Sequence, residues 1–214
     1  MKITKSGHCC MLIEENGARI LTDPGNYTEA QNDVKNIDVL LITHEHGDHF
    51  HIESVKKILE NNPNVPIVTN SSVDMLLKKD GITHATIIED GQSAEVKGLK
   101  FAGHGTAHAL IHGEWPSVQN TGYMIGERLF YPGDSLEHSG IDVDILALPV
   151  AGPWIKISEA IDYCIKLVPR MCFPVHDGML NQNGGGVINR VVPQILEKHN
   201  IKFTTLETGK ETEL

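Results

Sequence analysis

The sequence predicts one α+β domain spanning residues 1–214, and three observations carry that prediction. Short apolar runs rich in β-branched residues, such as residues 37–42 and 142–150, recur between turn signals in the pattern of buried strands. Other stretches carry apolar residues at helical spacing: Ile52, Val55, Ile58 and Leu59, and later Ile161, Ile165 and Val168. Finally, 214 residues with 40% hydrophobic and 21% charged side chains suffice for one well-buried core, and no linker, repeat or low-complexity stretch divides them.

The elements follow in order. Residues 10–14 and 18–22 flank Glu15-Asn16-Gly17, a hairpin signal because Asn-Gly accepts positive φ, and Asp23-Pro24-Gly25 then breaks the chain. Residues 66–70 read as a strand leading to Ser71-Ser72, expected to cap a short helix through Leu77. Residues 85–89, 94–96 and 99–102, with Gly91 and Gly98 as turns, fit an antiparallel meander rather than βαβ units. A hairpin about Gly126-Glu127-Arg128 joins 121–125 to 129–131. The strand at 142–150 precedes a helix from Ser158, its expected cap, to Leu167, and 171–175 is a further strand. Residues 181–186 read as a glycine-rich loop without the lysine of a phosphate-binding loop, followed by a last helix to His199 and a closing strand at 201–205.

The chemistry concentrates between the strand at 37–42 and the helix that opens at Ile52. There Thr43-His44-Glu45-His46-Gly47-Asp48-His49 places three imidazoles and one carboxylate within six positions. His44 and His46 are two apart, so an extended segment points both to one side. Gly47 lets the backbone turn sharply and present Asp48 and His49 as a second pair. One loop can thus feed two neighbouring metal ions. A second cluster holds His104, His108 and His112 at four-residue spacing; Gly103 and Gly105 argue for a loop, and spacing alone leaves open which histidine is a donor. Gly133-Asp134 and Val175-His176 each place a donor after an apolar run, while His84, His138 and His199 stand outside these groups.

His-x-His-x-Asp-His after a buried strand resembles the signature of the metallo-β-lactamase-fold hydrolases. Gly7-His8 at the first strand with Asp23-Pro24 after the second resembles one branch of them, which includes ascorbate-6-phosphate-lactonase-like proteins and the N-acylethanolamine-releasing phospholipase D. The resemblance implies a four-layer αββα sandwich with a one- or two-metal site at one edge of its sheets. Gly105-Thr106-Ala107-His108-Ala109-Leu110-Ile111-His112 matches the relatives' pattern, which assigns the ligand to His108 and leaves His104 and His112 behind the ligands or in the pocket. His44, His46 and His108 then hold the first metal, Asp48, His49 and His176 the second, and Asp134 bridges them. His8 and Asp23 lie near the site, where Asp23 would accept the distal N–H of a ligand histidine. Trp115 and Trp154, each beside a proline, would line the pocket mouth. The implied reaction is hydrolysis of a small ester, lactone or phosphodiester by a hydroxide bridging two metal ions, with Asp48 and Asp134 as its catalytic carboxylates. The alternatives are a nuclease on the same fold and a non-hydrolytic metal-binding or redox protein.

Imidazole and carboxylate donors suit two divalent metal ions, zinc first, with manganese or iron as alternatives. Cys9, Cys10, Cys164 and Cys172 form no C-x-x-C pair and are expected to be reduced core residues, so a soft thiolate site is not expected. The net charge of −10, from 18 basic and 28 acidic residues, disfavours nucleic acid and points to a small-molecule substrate. No stretch approaches the roughly 18 apolar residues of a membrane span, and the first residues lack a signal core. A cytoplasmic location is therefore expected, with homo-oligomerisation left open.

Overall fold

The computed structural model describes residues 1–137 and 140–214; His138 lies outside them. One mixed sheet contains β1 (Lys2–Gly7), β2 (Cys10–Glu15), β3 (Ala18–Thr22), β4 (Val39–Leu41), β5 (Ile67–Thr69) and β6 (Ala85–Ile87). The other contains β7 (Ser93–Val96), β8 (Leu99–His104), β9 (Gly122–Ile125), β10 (Leu129–Tyr131), β11 (Ile145–Pro149), β12 (Met171–Val175) and β13 (Lys202–Phe203). Strand β14 (Glu211–Glu213) returns to pair with β1, so the spatial orders are β14-β1-β2-β3-β4-β5-β6 and β13-β12-β11-β10-β9-β8-β7. The helices are α1 (Ile52–Asn61), α2 (Ser71–Lys79), α3 (Ile157–Leu167) and α4 (Gln182–Leu196).

Alternation along the central strands sets the layers, because successive side chains leave a strand on opposite faces. Ile20, Val39, Leu41 and Val68 point between the sheets, where they meet Phe101, Tyr131, Ile145 and Phe173. Their neighbours Leu21, Leu40 and Ile67 point outward onto Val55, Ile58, Val73 and Leu77 of α1 and α2. On the second sheet, Phe130, Leu146 and Cys172 point outward onto Ala160, Cys164, Ile188 and Val192 of α3 and α4. The result is the helix–sheet–sheet–helix sandwich that the resemblance implies.

Several local expectations are corrected. The pairs β3–β4, β4–β5 and β5–β6 are parallel, as are β10–β11, β11–β12 and β12–β13. The antiparallel meander expected from residue 85 onward therefore runs only from β7 through β10; α1 and α2 are the crossovers of βαβ units, and the chain changes sheets between β6 and β7. Asn70, not a serine, caps α2 by accepting the Val73 N–H, and Lys156 rather than Ser158 precedes α3. Residues 182–186 are helical: Asn181 accepts the Gly184 N–H as a cap, and Ile188, Val192 and Leu196 anchor the helix downstream. Val168, read as part of the α3 stripe, is the exposed left-handed residue that ends it. No helix among the described residues is long and apolar enough to cross a membrane.

The topology brings the chemistry to one edge. Because β3 and β4 are parallel, their C-terminal ends deliver Asp23 and Thr43 side by side. The ends of β10, β11 and β12 likewise deliver Asp134, the Gly152–Trp154 loop and His176 to that same edge. Carboxyl ends of parallel strands are where such sheets place their ligands.

Candidate metal centre

The motif loop leaves β4 and crosses to the other sheet, His44 forming an antiparallel bridge with Asn120. It then tightens, the His46 carbonyl accepting both the His49 N–H at 2.9 Å and the Phe50 N–H at 2.7 Å. This turn carries Asp48 and His49 to the opposite side from His44 and His46. Gly25 packs directly beneath it; a Cβ there would lie 1.8 Å from the Asp48 carbonyl oxygen.

Two donor groups result. The imidazole nitrogens of His44, His46 and His108 lie within 4.8 Å of one another, and Asp48, His49 and His176, joined by His8, form a second group of the same span. Asp134 stands between them. Its Oδ1 is 3.1 Å from His49 Nε2, and its Oδ2 is 2.8 Å from His176 Nε2, 3.3 Å from His108 Nε2 and 4.0 Å from His44 Nε2.

The hydrogen bonds behind these groups fix which nitrogen faces inward. His108 Nδ1 donates to the Ala109 carbonyl at 2.6 Å, and His49 Nδ1 donates to Asp23 Oδ2 at 2.6 Å. Thr43 Oγ1 gives its proton to Asp23 and so accepts from His44 Nδ1 at 3.1 Å. Each of these imidazoles therefore turns Nε2 toward the centre. The Nε2 atoms of His44, His49, His108 and His176 and Oδ1 of Asp134 are buried without a hydrogen-bond partner. Buried polar atoms are rarely left so, and lone pairs converging on a carboxylate fit cations. The donor set thus fits a metal pair.

Electrostatics agree. Burial would lower His49, but Asp134 and Asp23 hold it well above the ordinary histidine value. Burial would raise Asp134, yet His49 and His176 hold it well below the carboxylate range. Burial, reinforced by neighbouring imidazoles, pushes His44 well down and His46 down. Asp48, against the effect of burial, is pulled down by a hydrogen bond from His8 and by His49.

His8 occupies the turn after β1 with φ of 50°. Its Nδ1 accepts the Gly178 N–H at 3.2 Å, so the proton sits on Nε2 and is donated to Asp48 Oδ2 at 3.1 Å. Burial lowers its pKa more than Asp48 raises it, consistent with a neutral ring. Asp23 accepts from the Thr43 N–H, the Thr43 hydroxyl, His49 and the Tyr131 hydroxyl.

The remaining sequence candidates separate. His104 lies in β8 itself, where the parity that points Phe101 inward turns His104 outward against Phe130, away from both donor groups. His112 is exposed and its Nδ1 accepts the Glu114 N–H; it joins neither group. Trp154 is buried, with its ring 5.6 Å from those of both His108 and His176, and Trp115 is exposed at the rim. Cys9 lies within 4.8 Å of donor atoms of His49 and Asp134, a proximity the sequence does not reveal, but burial pushes its thiol pKa up and disfavours the thiolate.

Sequence reasoning missed Asn120, Tyr131 and Gly133. Asn120 Oδ1 accepts the Asp134 N–H at 3.0 Å while its Nδ2 donates to the Pro132 carbonyl at 2.9 Å, which fixes the turn carrying the carboxylate. Gly133, at φ of 61°, lets Asn120 approach so closely that a Cβ would lie 2.3 Å from Oδ1. Nothing in the spacing marks Asn120; Gly133 reads only as a turn.

Comparison with known proteins agrees with this architecture. A family model described as the beta-lactamase superfamily domain matches residues 2–176. Protein Rv0786c of Mycobacterium tuberculosis is 32% identical over 192 residues, covering 87% of this chain and 89% of its own. A UPF0173 metal-dependent hydrolase of Bacillus cereus is 27% identical over 237 aligned positions that cover 100% of both chains. Among solved structures, Igni18, a metallo hydrolase from Ignicoccus hospitalis, matches with a TM-score of 0.75 at 19% identity, covering 100% of this chain and 98% of that one.

Proposed function

The chain belongs to the beta-lactamase superfamily and, within it, to the UPF0173 metal-dependent hydrolases, and from that premise we propose that it cleaves a small ester, lactone or phosphodiester at a two-metal centre. It is an enzyme of the metal-dependent hydrolase class; the proposal concerns the metal pair, the residues and the bond cleaved. The observation that carries it is the set of buried, unpartnered imidazole nitrogens converging on Asp134.

His44, His46 and His108 would hold one ion and Asp48, His49 and His176 the other, with Asp134 shared; zinc fits these donors, as do manganese and iron. When bound, two such ions lower the pKa of water to near neutrality and stabilise developing negative charge. The protein's own residues supply the rest. Asp134, fixed by Asn120, contributes the negative charge that lets two cations share the site. Asp48 borders the cavity and is oriented by His8, which suits it to accept the proton of the attacking water and pass it on. Asp23 holds His49 in the tautomer that leaves Nε2 free. Trp154 packs edge-on against His108 and His176 and keeps bulk water from their flank.

Assaying the metal-loaded protein against lactone, carboxylic ester, phosphodiester, thioester and β-lactam panels tests the reading. Asp134→Asn keeps the shape and removes the charge; kcat is expected to fall at least about a hundredfold, with weaker occupancy of one metal. An Asp134→Asn enzyme with unchanged metal content and rate would remove the carboxylate from the mechanism.

A further inference from the structure

The cavity over the donor groups holds about 290 Å³, room for a small substrate. Its floor is polar, formed by His46, Asp48, Asp134 and His176, but its rim is not. Tyr27, Ile111, Trp115 and Met179 come from the loops after β3, β8 and β12 and converge around the opening. Tyr27 is 49% exposed, Trp115 61% and Met179 49%. Large apolar side chains left in water around one cleft mark a ligand surface, since scattered single ones carry no such meaning. Their placement over a polar floor separates what reacts from what is merely held.

Charge sharpens the reading. No Lys or Arg is among the described residues that line the cavity, whereas Asp48 and Asp134 are. A phosphorylated substrate would bring anionic oxygens past an aromatic rim with no guanidinium or ammonium to receive them there, leaving only the metal ions of the floor to neutralise them. The chain's net charge of −10 adds long-range repulsion. An alkyl or aryl group on an uncharged ester meets neither obstacle and removes apolar rim surface from water.

We propose that the rim formed by Tyr27, Trp115 and Met179 is a subsite for an uncharged apolar group, which narrows the substrate to an ester or lactone bearing an alkyl or aryl substituent. The inference rests on the hydrolase reading above and deepens it.

The chain's two tryptophans, Trp115 and Trp154, both border the cavity, so intrinsic fluorescence reports binding there. The test uses metal-loaded protein as purified, with two readouts. In the first, kcat/KM is measured for p-nitrophenyl acetate, butyrate and hexanoate and for bis-p-nitrophenyl phosphate. It should rise about twofold per added methylene, roughly half the gain in log units of a fully buried one, and fall to its lowest for the phosphodiester. Trp115→Ala, at an exposed position, should flatten that rise. In the second, benzylacetone, an uncharged ketone that cannot be hydrolysed, should perturb tryptophan emission, with affinity at least about threefold weaker in Trp115→Ala. Ester hydrolysis that is flat in chain length and indifferent to Trp115, or a phosphodiester preferred to the hexanoate, overturns the subsite while leaving the hydrolase reading intact. Trp115-dependent benzylacetone binding with no hydrolysis of any ester, lactone or phosphodiester supports the subsite and removes the proposed reaction instead.

Discussion

At the scale of single residues, the centre depends on groups that never face the cavity. Asp23 collects four hydrogen bonds in a fully buried position, two from Thr43 and one each from His49 and Tyr131. Truncation would strand these donors, so Asp23→Ala is expected to cost about 3–5 kcal/mol and to lower Tm by about 10 °C. Metal affinity should fall about 10–100-fold, because His49 loses the partner that sets its tautomer. Asp23→Asn, which keeps one acceptor oxygen, should fall between the two in calorimetry and metal titration. Equal behaviour of Ala and wild type would remove Asp23 from the account. The donors in residues 43–49 were legible in the sequence because type and spacing are concentrated in one loop. The support from Tyr131 was not, since it reaches Asp23 across 108 positions and carries no local pattern. His8 and Asp23 entered as candidates only through the family resemblance.

At the scale of elements, the site is where loops from both sheets press together, and glycine marks the tightest approach. With 1.8 Å between a Cβ at position 25 and the Asp48 carbonyl, the neighbour in the way is backbone and cannot rotate aside. Gly25→Ala should therefore destabilise by about 3 kcal/mol or more and displace the Asp48–His49 turn, visible as lost metal binding at temperatures where the fold survives. A variant with wild-type Tm and metal content would contradict the packing described. In the sequence Gly25 stood out only as part of the chain breaker Asp23-Pro24-Gly25. Hairpins were legible because Asn16-Gly17 and its flanks carry a local code. Parallel register was not, because strands such as β4 and β11, buried on both faces, show no alternation to orient them. The glycines opening α4 concealed only its first turn, which is held by the Asn181 cap and by the apolar face of the helix downstream.

At the scale of the whole molecule, metal content, acidity and stability are coupled. In the metal-free protein, His8, His44 and His46 are held below the ordinary histidine value of 6.5, burial being the largest cause. As pH falls below 6.5 the unfolded chain takes up protons at these positions that the folded protein refuses, so stability decreases. His49, whose folded pKa is raised, works in the opposite sense near 6.5, its contribution being fully present well below that value, but it is one group against three. The depressed Asp48 and Asp134 contribute stability that is lost only in more acid solution, below their ordinary value of 3.8. Chelated protein should accordingly lose Tm between about pH 7 and about pH 5 in calorimetry, and a flat or rising Tm would contradict the burial argument. Restoring metal at about a thousand times its Kd should stabilise by about 4 kcal/mol, or about 10 °C. The central claim, that two donor groups share Asp134 to hold a metal pair, is tested most directly by elemental analysis of protein purified without chelator. Wild type should carry close to two equivalents, His108→Ala about one or fewer, and His104→Ala close to two, since His104 lies outside both groups. A wild-type value that stays below one after reconstitution with Zn(II) or Mn(II), or metal lost from His104→Ala and kept by His108→Ala, would contradict it.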